Sequence, residues 1–204
     1  MKPASLSEFL MKGRLEAGVD EAGRGCLAGP VTAAAVIPGP AGMGWLAAGL
    51  DDSKRLSLAA RDALREQIEK EALAWAVGWA TVEEIERVNI LQATYLAMHR
   101  AIDGLGAAPA HLLIDGNRFR PHEIDHTCEI KGDGRFMSIA AASILAKTHR
   151  DERMHELAAE FPKYGWGSNM GYPTPAHKKA IQEWGHCSHH RKTFRGVRGS
   201  LFSD

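Results

Sequence analysis

Gly18-Val19-Asp20-Glu21-Ala22-Gly23-Arg24-Gly25 runs from an apolar segment through two carboxylates into a glycine turn, and Val31-Thr32-Ala33-Ala34-Ala35-Val36-Ile37 beyond it is apolar again. Residues 15–19 and 31–37 have the length and composition of two buried strands, with the glycines supplying the reversal between them. Asp20 and Glu21 end the first strand. If both stay extended they point to opposite faces, so at most one can be solvated cheaply on a half-buried sheet. The spacing Gly23-x-Gly25-x-x-x-Gly29 is one residue off the dinucleotide fingerprint. A dinucleotide site would need a helix after the turn, but the segment there is strand-like, and two carboxylates would repel a pyrophosphate. The glycines better suit close approach of backbone to a sugar–phosphate, with Arg24 available to a phosphate oxygen.

Outward from this pair, residues 38–44 are rich in proline and glycine and read as a loop. Residues 57–72 have helical character, and 73–82 carry Trp75, Val77 and Trp79 in strand-like alternation. Thr81 followed by Glu84 is a capping-box pattern opening a helix through Ile85, Val88, Leu91, Tyr95, Met98 and Ile102, which stops near Gly104. Short apolar strands at 111–114 and 127–131 lead into Asp115-Gly116-Asn117 and Gly132-Asp133-Gly134. A long helix is expected from Ser138 to Phe161, then a loop over 164–175 and a helix over 177–184. Strands followed by strand–helix alternation predict an α/β fold with a mixed sheet flanked by helices and a C-terminal helical segment. Residues 1–14 form a short N-terminal segment, and 15–204 a single domain.

The chain of 204 residues is 45% hydrophobic and 25% charged, enough apolar material for a core without disulfides or a structural metal. Twenty-five basic residues balance 25 acidic ones, which excludes charge-driven disorder. Cys26, Cys128 and Cys187 are too scattered for a disulfide framework and suit a reducing, cytoplasmic compartment. No run reaches the ~18 apolar residues of a membrane span, so no membrane association is expected. Charge is uneven, however. Lys178, Lys179, Arg191, Lys192, Arg195 and Arg198 face Glu183 alone in a basic C-terminal tail suited to a phosphate backbone. Cys187 beside His186, His189 and His190 also raises a zinc reading, weakened by the absence of a second thiol at zinc-finger spacing.

Asp20-Glu21, Asp115 and Asp133 each follow an apolar strand. Strand ends are where α/β sheets gather catalytic groups on a rigid support. Taken alone, Asp115 or Asp133 is better explained by ordinary Asp-Gly turn chemistry. Taken together, converging carboxylates would repel one another without a cation, and hard oxygen donors suit Mg²⁺ or Mn²⁺. Two such ions would activate water and stabilise the leaving oxygen of a phosphodiester.

In order along the chain, Gly18–Gly25 with Ala28-Gly29-Pro30-Val31, Asp52-Ser53-Lys54, Asn89-Ile90-Leu91-Gln92-Ala93-Thr94, Asp115-Gly116-Asn117, Lys131-Gly132-Asp133, Ser138–Lys147, Arg150-Asp151, Gly171-Tyr172-Pro173-Thr174 and His190-Arg191-x-Thr193-Phe194 resemble the motifs of ribonuclease HII, the type 2 ribonuclease H family. The resemblance implies a ribonuclease H-like fold and Mg²⁺- or Mn²⁺-dependent cleavage of RNA in RNA–DNA hybrids. It further implies incision 5′ of single ribonucleotides embedded in duplex DNA, leaving 3′-hydroxyl and 5′-phosphate ends. By motif position Asp20, Glu21, Asp115 and Asp133 would be the catalytic, metal-binding carboxylates, holding two ions once substrate is bound. Gly23, Arg24 and Gly25 would read the 2′-hydroxyl, and Tyr172 would contact the sugar at the ribose–deoxyribose junction. Lys54 and Lys147 would touch phosphates, although Lys147 stands four residues before Asp151, where a helical ion pair is an equal account. Ser138 and Ser143 are expected as helix cap and packing residue. Ribonuclease HIII shares the carboxylates but carries a long N-terminal extension and lacks the arginine of the glycine loop, so Arg24 favours HII. A monomer is expected, with hybrid and ribonucleotide-containing duplex as partners; recruitment by a replication clamp is not legible. Two other classes compete: a non-catalytic nucleic-acid-binding module, which would leave four strand-end acids without a role, and a DNA-directed nuclease on the same fold.

Overall fold

A computed structural model describes residues 6–51 and 56–197; Lys54 and Arg198 lie outside the described residues. The strands β1 (Glu16–Ala22), β2 (Val31–Ile37), β3 (Ala74–Ala80), β4 (His111–Asp115) and β5 (His126–Glu129) form one sheet in the order β3-β2-β1-β4-β5. β1 pairs antiparallel with β2, β2 antiparallel with β3, and β1-β4-β5 are parallel, so the sheet is mixed, as expected. The helices are α1 (Met43–Ala47), α2 (Leu58–Glu71), α3 (Val82–Asp103), α4 (Met137–Glu160), α5 (Trp166–Asn169) and α6 (Pro175–Trp184). Among the described residues no helix is long and apolar enough to cross a membrane.

Alternation along the central strands divides the core between two helices. Ala17, Val19, Val31, Ala33, Ala35 and Ile37 pack with Ala93, Tyr95, Ala97 and Ala101 of α3. Ala22, Ala34 and Val36, from the opposite face, pack with the Ala140–Ala142 and Ile144–Ala146 surface of α4 and with Leu64 and Ile68 of α2. The small side chains let α4 lie close on β1. A Cβ added at Gly18 would stand 2.1 Å from the carbonyl carbon of Ser138, so only glycine permits the approach.

Local signals account for several boundaries. Ser57 caps α2 by accepting from Ala60 N–H, and Thr81 and Glu84 form the reciprocal capping box of α3. Thr174 caps α6, with Pro175 at its first position. Tertiary pairing moved others. β1 runs on through Asp20 and Glu21 to Ala22, because these residues pair with Ala34, Ala33 and Thr32. α3 is kinked at Asn89 (φ 68°), whose Oδ1 accepts from Leu91 and Gln92 N–H and restarts the helix. The loop expected over 38–44 contains a 3-10 turn, Pro40–Gly42, and the start of α1, anchored by buried Trp45 donating to Glu71 Oε2 at 2.9 Å. β5 ends at Glu129, before left-handed Lys131 (φ 56°) and the 3-10 turn Gly132–Gly134. Ser138 is not the cap of α4. Phe136 holds that position without a side-chain bond, and the Ser7 carbonyl accepts from Met137 N–H at 2.9 Å. Part of the N-terminal segment therefore closes a helix end. The loop expected over 164–175 includes α5, held by buried Tyr164 and Trp166.

Candidate active site

The C-terminal ends of β1 and β4 are neighbours in the parallel register that pairs Val19 with Ile114, which brings the next residues, Asp20 and Asp115, side by side. Asp20 shares its face of β1 with Gly18 and meets α4, where the Ser143 hydroxyl bonds its carboxylate. Its Oδ1 also accepts from Glu21 N–H at 2.7 Å. Burial pushes the Asp20 carboxyl well above the usual range, and the charges of Glu21 and Asp115 push it further; the Ser143 and Glu21 bonds work against them. Glu21 points the other way, into a cleft that Leu91, Thr94 and Tyr95 of α3 share with Asp115 and Asn117. Asp115 Oδ1 accepts from Gly132 N–H at 2.7 Å, tying the end of β4 to the turn that carries Asp133. Asp133 is buried and accepts from Gly134 N–H at 3.0 Å.

Among the described residues no three His, Cys, Asp or Glu side chains form a ready metal cluster. The donor chemistry nevertheless fits a hard divalent cation. Every candidate ligand is a carboxylate, and the repulsion that Glu21 and Asp115 impose on buried Asp20 is what a cation would relieve.

Gly23 has φ 89°, and a Cβ there would lie 2.0 Å from Arg150 Nε, so glycine admits the arginine beneath the turn. Arg150 donates to the carbonyls of Pro30, Met170 and Ala28 at 3.1, 2.9 and 3.1 Å. Arg191 donates to those of Gly29, Arg24 and Pro30 at 3.0, 2.9 and 3.0 Å. Both guanidiniums are fully buried, and burial brings the Arg191 pKa down to about 9. Arg24 itself pairs with Glu21 Oε1 at 3.0 Å, and Gly25 faces open space. Tyr172 lies against this loop. Leu27 N–H donates to the Gly171 carbonyl at 2.7 Å, the Tyr172 hydroxyl lies near the Cys26 thiol, and the Arg150 guanidinium lies 6.0 Å from the Tyr172 ring centre. Lys147 donates to both Asp151 carboxylate oxygens at 2.5 Å, so the helical ion pair forms.

The four carboxylates, the glycine loop and Tyr172 thus belong to one connected region. The sequence reading missed Arg150, Arg191 and Cys26 as supports of that region, and took Ser143 for packing alone. It also placed Arg191 in a basic tail suited to a phosphate backbone and set His190 beside Cys187 in a zinc reading, whereas both are completely buried, as is His177. Arg150 and Arg191 bond main-chain carbonyls far along the chain, which leave no local pattern. The Arg-Asp and His-Arg motif positions were the only available signal.

The chain matches the family profile of ribonuclease HII over residues 17–197. It is 57% identical over 190 residues to a ribonuclease HII of Parabacteroides distasonis, covering 93% of this chain and 94% of that one. Among solved structures, the ribonuclease H2 of Pyrococcus horikoshii OT3 superposes with a TM-score of 0.76 at 25% identity, covering 91% of this chain and 96% of the other. Bst-RNase HIII in complex with Mn2+ shares the fold, with a TM-score of 0.68 at 19% identity, covering 98% of this chain and 70% of that one.

Proposed function

The chain belongs to the ribonuclease HII family and hydrolyses the RNA strand of RNA–DNA hybrids, and from that premise we propose that Asp20, Glu21, Asp115 and Asp133 hold two Mg²⁺ or Mn²⁺ ions and that the enzyme also incises 5′ of a single ribonucleotide in duplex DNA. Products carry 3′-hydroxyl and 5′-phosphate ends. Residues 15–204 act as one catalytic domain. The observation that carries the reading is Asp20, a carboxylate buried beside two others and held by Ser143. When bound, the ions supply Lewis acidity to the attacking water and the departing 3′-oxygen.

The chain's own residues do the rest. Asp20, Glu21 and Asp115 provide the negative charge that retains the ions, and Asp133 completes or orients the second position. Arg24 holds Glu21 in place and is exposed enough to reach a phosphate. The backbone of Gly23, Arg24 and Gly25 reads the 2′-hydroxyl, the one group by which a ribonucleotide differs in a DNA duplex. Tyr172, 39% exposed, packs against the following sugar, where a second hydroxyl is unwelcome. Lys54 and Lys147 are the proposed phosphate contacts, Lys147 from within its pair with Asp151.

The test uses three labelled duplexes: all DNA, DNA with one ribonucleotide, and an RNA–DNA hybrid, each with Mg²⁺, Mn²⁺ or EDTA. Metal-dependent cuts in the hybrid and just 5′ of the lone ribonucleotide, with all-DNA intact and both cuts lost in Asp20→Asn, are expected. Wild-type turnover by Asp20→Asn would sink the carboxylate assignment. An uncut lone ribonucleotide would restrict the enzyme to hybrids.

A further inference from the structure

Tyr172 lies in the turn between α5 and α6, and both its ends are gripped. Its hydroxyl meets Cys26, while its carbonyl accepts from His177 Nδ1 at 2.9 Å. His177 is completely buried in the first turn of α6, and the cleavage chemistry gives it no task. Its Nε2 faces Trp166 Nε1 at 3.0 Å and His190 Nε2 at 3.2 Å. His190, also fully buried, turns its Nδ1 to the Cys187 amide at 3.0 Å and the Cys187 Sγ at 3.3 Å.

These partners assign every proton. An indole N–H can only donate, so His177 Nε2 is unprotonated and its hydrogen sits on Nδ1, where the Tyr172 carbonyl can only accept. A backbone amide can only donate, so His190 Nδ1 is unprotonated and its Nε2–H points at His177. The hydrogen bonds run in one direction, from Cys187 through His190 and His177 to Tyr172. Both rings must be neutral, and burial pushes both imidazoles below their ordinary pKa, His190 to about 3.

We propose that His177 is a positioning residue for Tyr172, kept in the donating tautomer by Trp166 and His190, and that it thereby sets how strongly the enzyme distinguishes a ribose–deoxyribose junction from continuous RNA. The proposal rests on Tyr172 being the junction contact. It extends that role to a buried chain of side chains that ends at the closing His190-Arg191 motif. His177 never touches the substrate; it fixes the carbonyl from which the Tyr172 side chain projects.

Two substitutions separate this role from plain support of the fold. In His177→Asn the amide nitrogen replaces Nδ1 and keeps the bond to the Tyr172 carbonyl. In His177→Gln the longer amide reaches the Nε2 position and loses that bond. The readout is the ratio of kcat/KM on a duplex with one ribonucleotide to kcat/KM on a continuous hybrid, with thermal midpoints measured alongside. His177→Gln should lower the ratio by about three- to tenfold, the worth of one net hydrogen bond. His177→Asn should hold the wild-type ratio even if its midpoint falls, and in a Tyr172→Ala background the two variants should agree. If Tyr172→Ala lowers the ratio while His177→Gln and His177→Asn both keep it, the role of His177 is overturned and that of Tyr172 stands. If Tyr172→Ala itself leaves the ratio unchanged, the junction contact fails and this inference with it. Should His177→Gln not fold, the comparison moves one bond back. In a Trp166→Phe background, where His190 is left as the donor to His177 Nε2, His190→Gln keeps that donor and should preserve the ratio, whereas His190→Asn loses it and should lower it; equal ratios there also overturn the proposal.

Discussion

Lowering the pH from 7 to 5 should weaken folding through His190 alone by about 2 kcal/mol. The folded protein holds this imidazole neutral down to a pKa of about 3, because it is buried and lies against His177. In the unfolded chain it titrates near the ordinary value of ~6.5. Above that value neither state binds the proton, and the two respond alike. Below it the unfolded state takes up a proton that the folded state refuses, so stability falls with pH, by ~1.4 kcal/mol per unit at full slope. The loss continues until the folded pKa is reached, and between pH 7 and 5 it amounts to about 1.5 units of full slope. His177, His111 and His149 are lowered by burial as well, and they act in the same direction. Asp20 opposes them. Its raised pKa means that the folded state gains a proton first, so acidification relieves its burial. Urea denaturation at pH 7, 6 and 5 should therefore be compared between the wild type and His190→Gln, which shares every other group. The wild type should lose about 2 kcal/mol more than the variant over this range. Parallel profiles would refute the buried, neutral His190 from which the magnitude is worked.

Asp20→Asn should raise the stability of the metal-free protein by about 1 kcal/mol or more while removing turnover, since it deletes a buried charge crowded by Glu21 and Asp115; a lower urea midpoint would contradict that crowding. Gly18→Ala should destabilise by about 3 kcal/mol or more, because the new methyl would lie 2.1 Å from the backbone of α4. Circular dichroism melts that leave its midpoint unchanged would show that α4 can lift off β1 cheaply. Arg191→Lys should cost about 2–4 kcal/mol, since an ammonium keeps the charge but cannot span the Gly29, Arg24 and Pro30 carbonyls. A chemical-denaturation midpoint equal to the wild type would argue against the clamp.

Elements whose signal is local were legible before the structure. Apolar residues 31–37 form β2 over those same residues, and Thr81 with Glu84 caps α3, which closes at Gly104. What was misread depends on partners far along the chain. Asp20 and Glu21 look like the end of a strand because carboxylates and glycines follow one another, yet their pairing with Ala34 and Ala33 of β2 keeps them extended. Ser138 looks like a helix cap, but the carbonyl of Ser7, contributed by the N-terminal segment, receives the Met137 amide. Neither neighbour leaves a trace in the residues beside it. The acidic half of the candidate site was legible for the opposite reason. A carboxylate at the end of an apolar strand conflicts with its own surroundings, and that conflict is visible without knowing the fold.

The basic half of the site follows a different logic. Arginine and histidine are usually solvated, so a segment rich in them reads as surface. Here Arg150 and Arg191 lie inside the fold and gather main-chain carbonyls of the glycine loop. This arrangement has a consequence on the opposite side of each peptide. In a trans peptide the N–H points away from its C=O. Because the Arg24 carbonyl is drawn toward Arg191, the Gly25 N–H is directed away from it, at a residue whose added Cβ would meet nothing within 4 Å. The buried guanidinium therefore aims a backbone donor outward without contacting a ligand. Its positive charge, in surroundings that solvate it poorly, also favours an electron-rich oxygen at that donor. A glycine loop alone would be free to turn its amides either way. The arginines remove that freedom: the glycines leave open space above the loop, which the proposed role would fill with a nucleic-acid strand, while the clamp beneath them supplies direction.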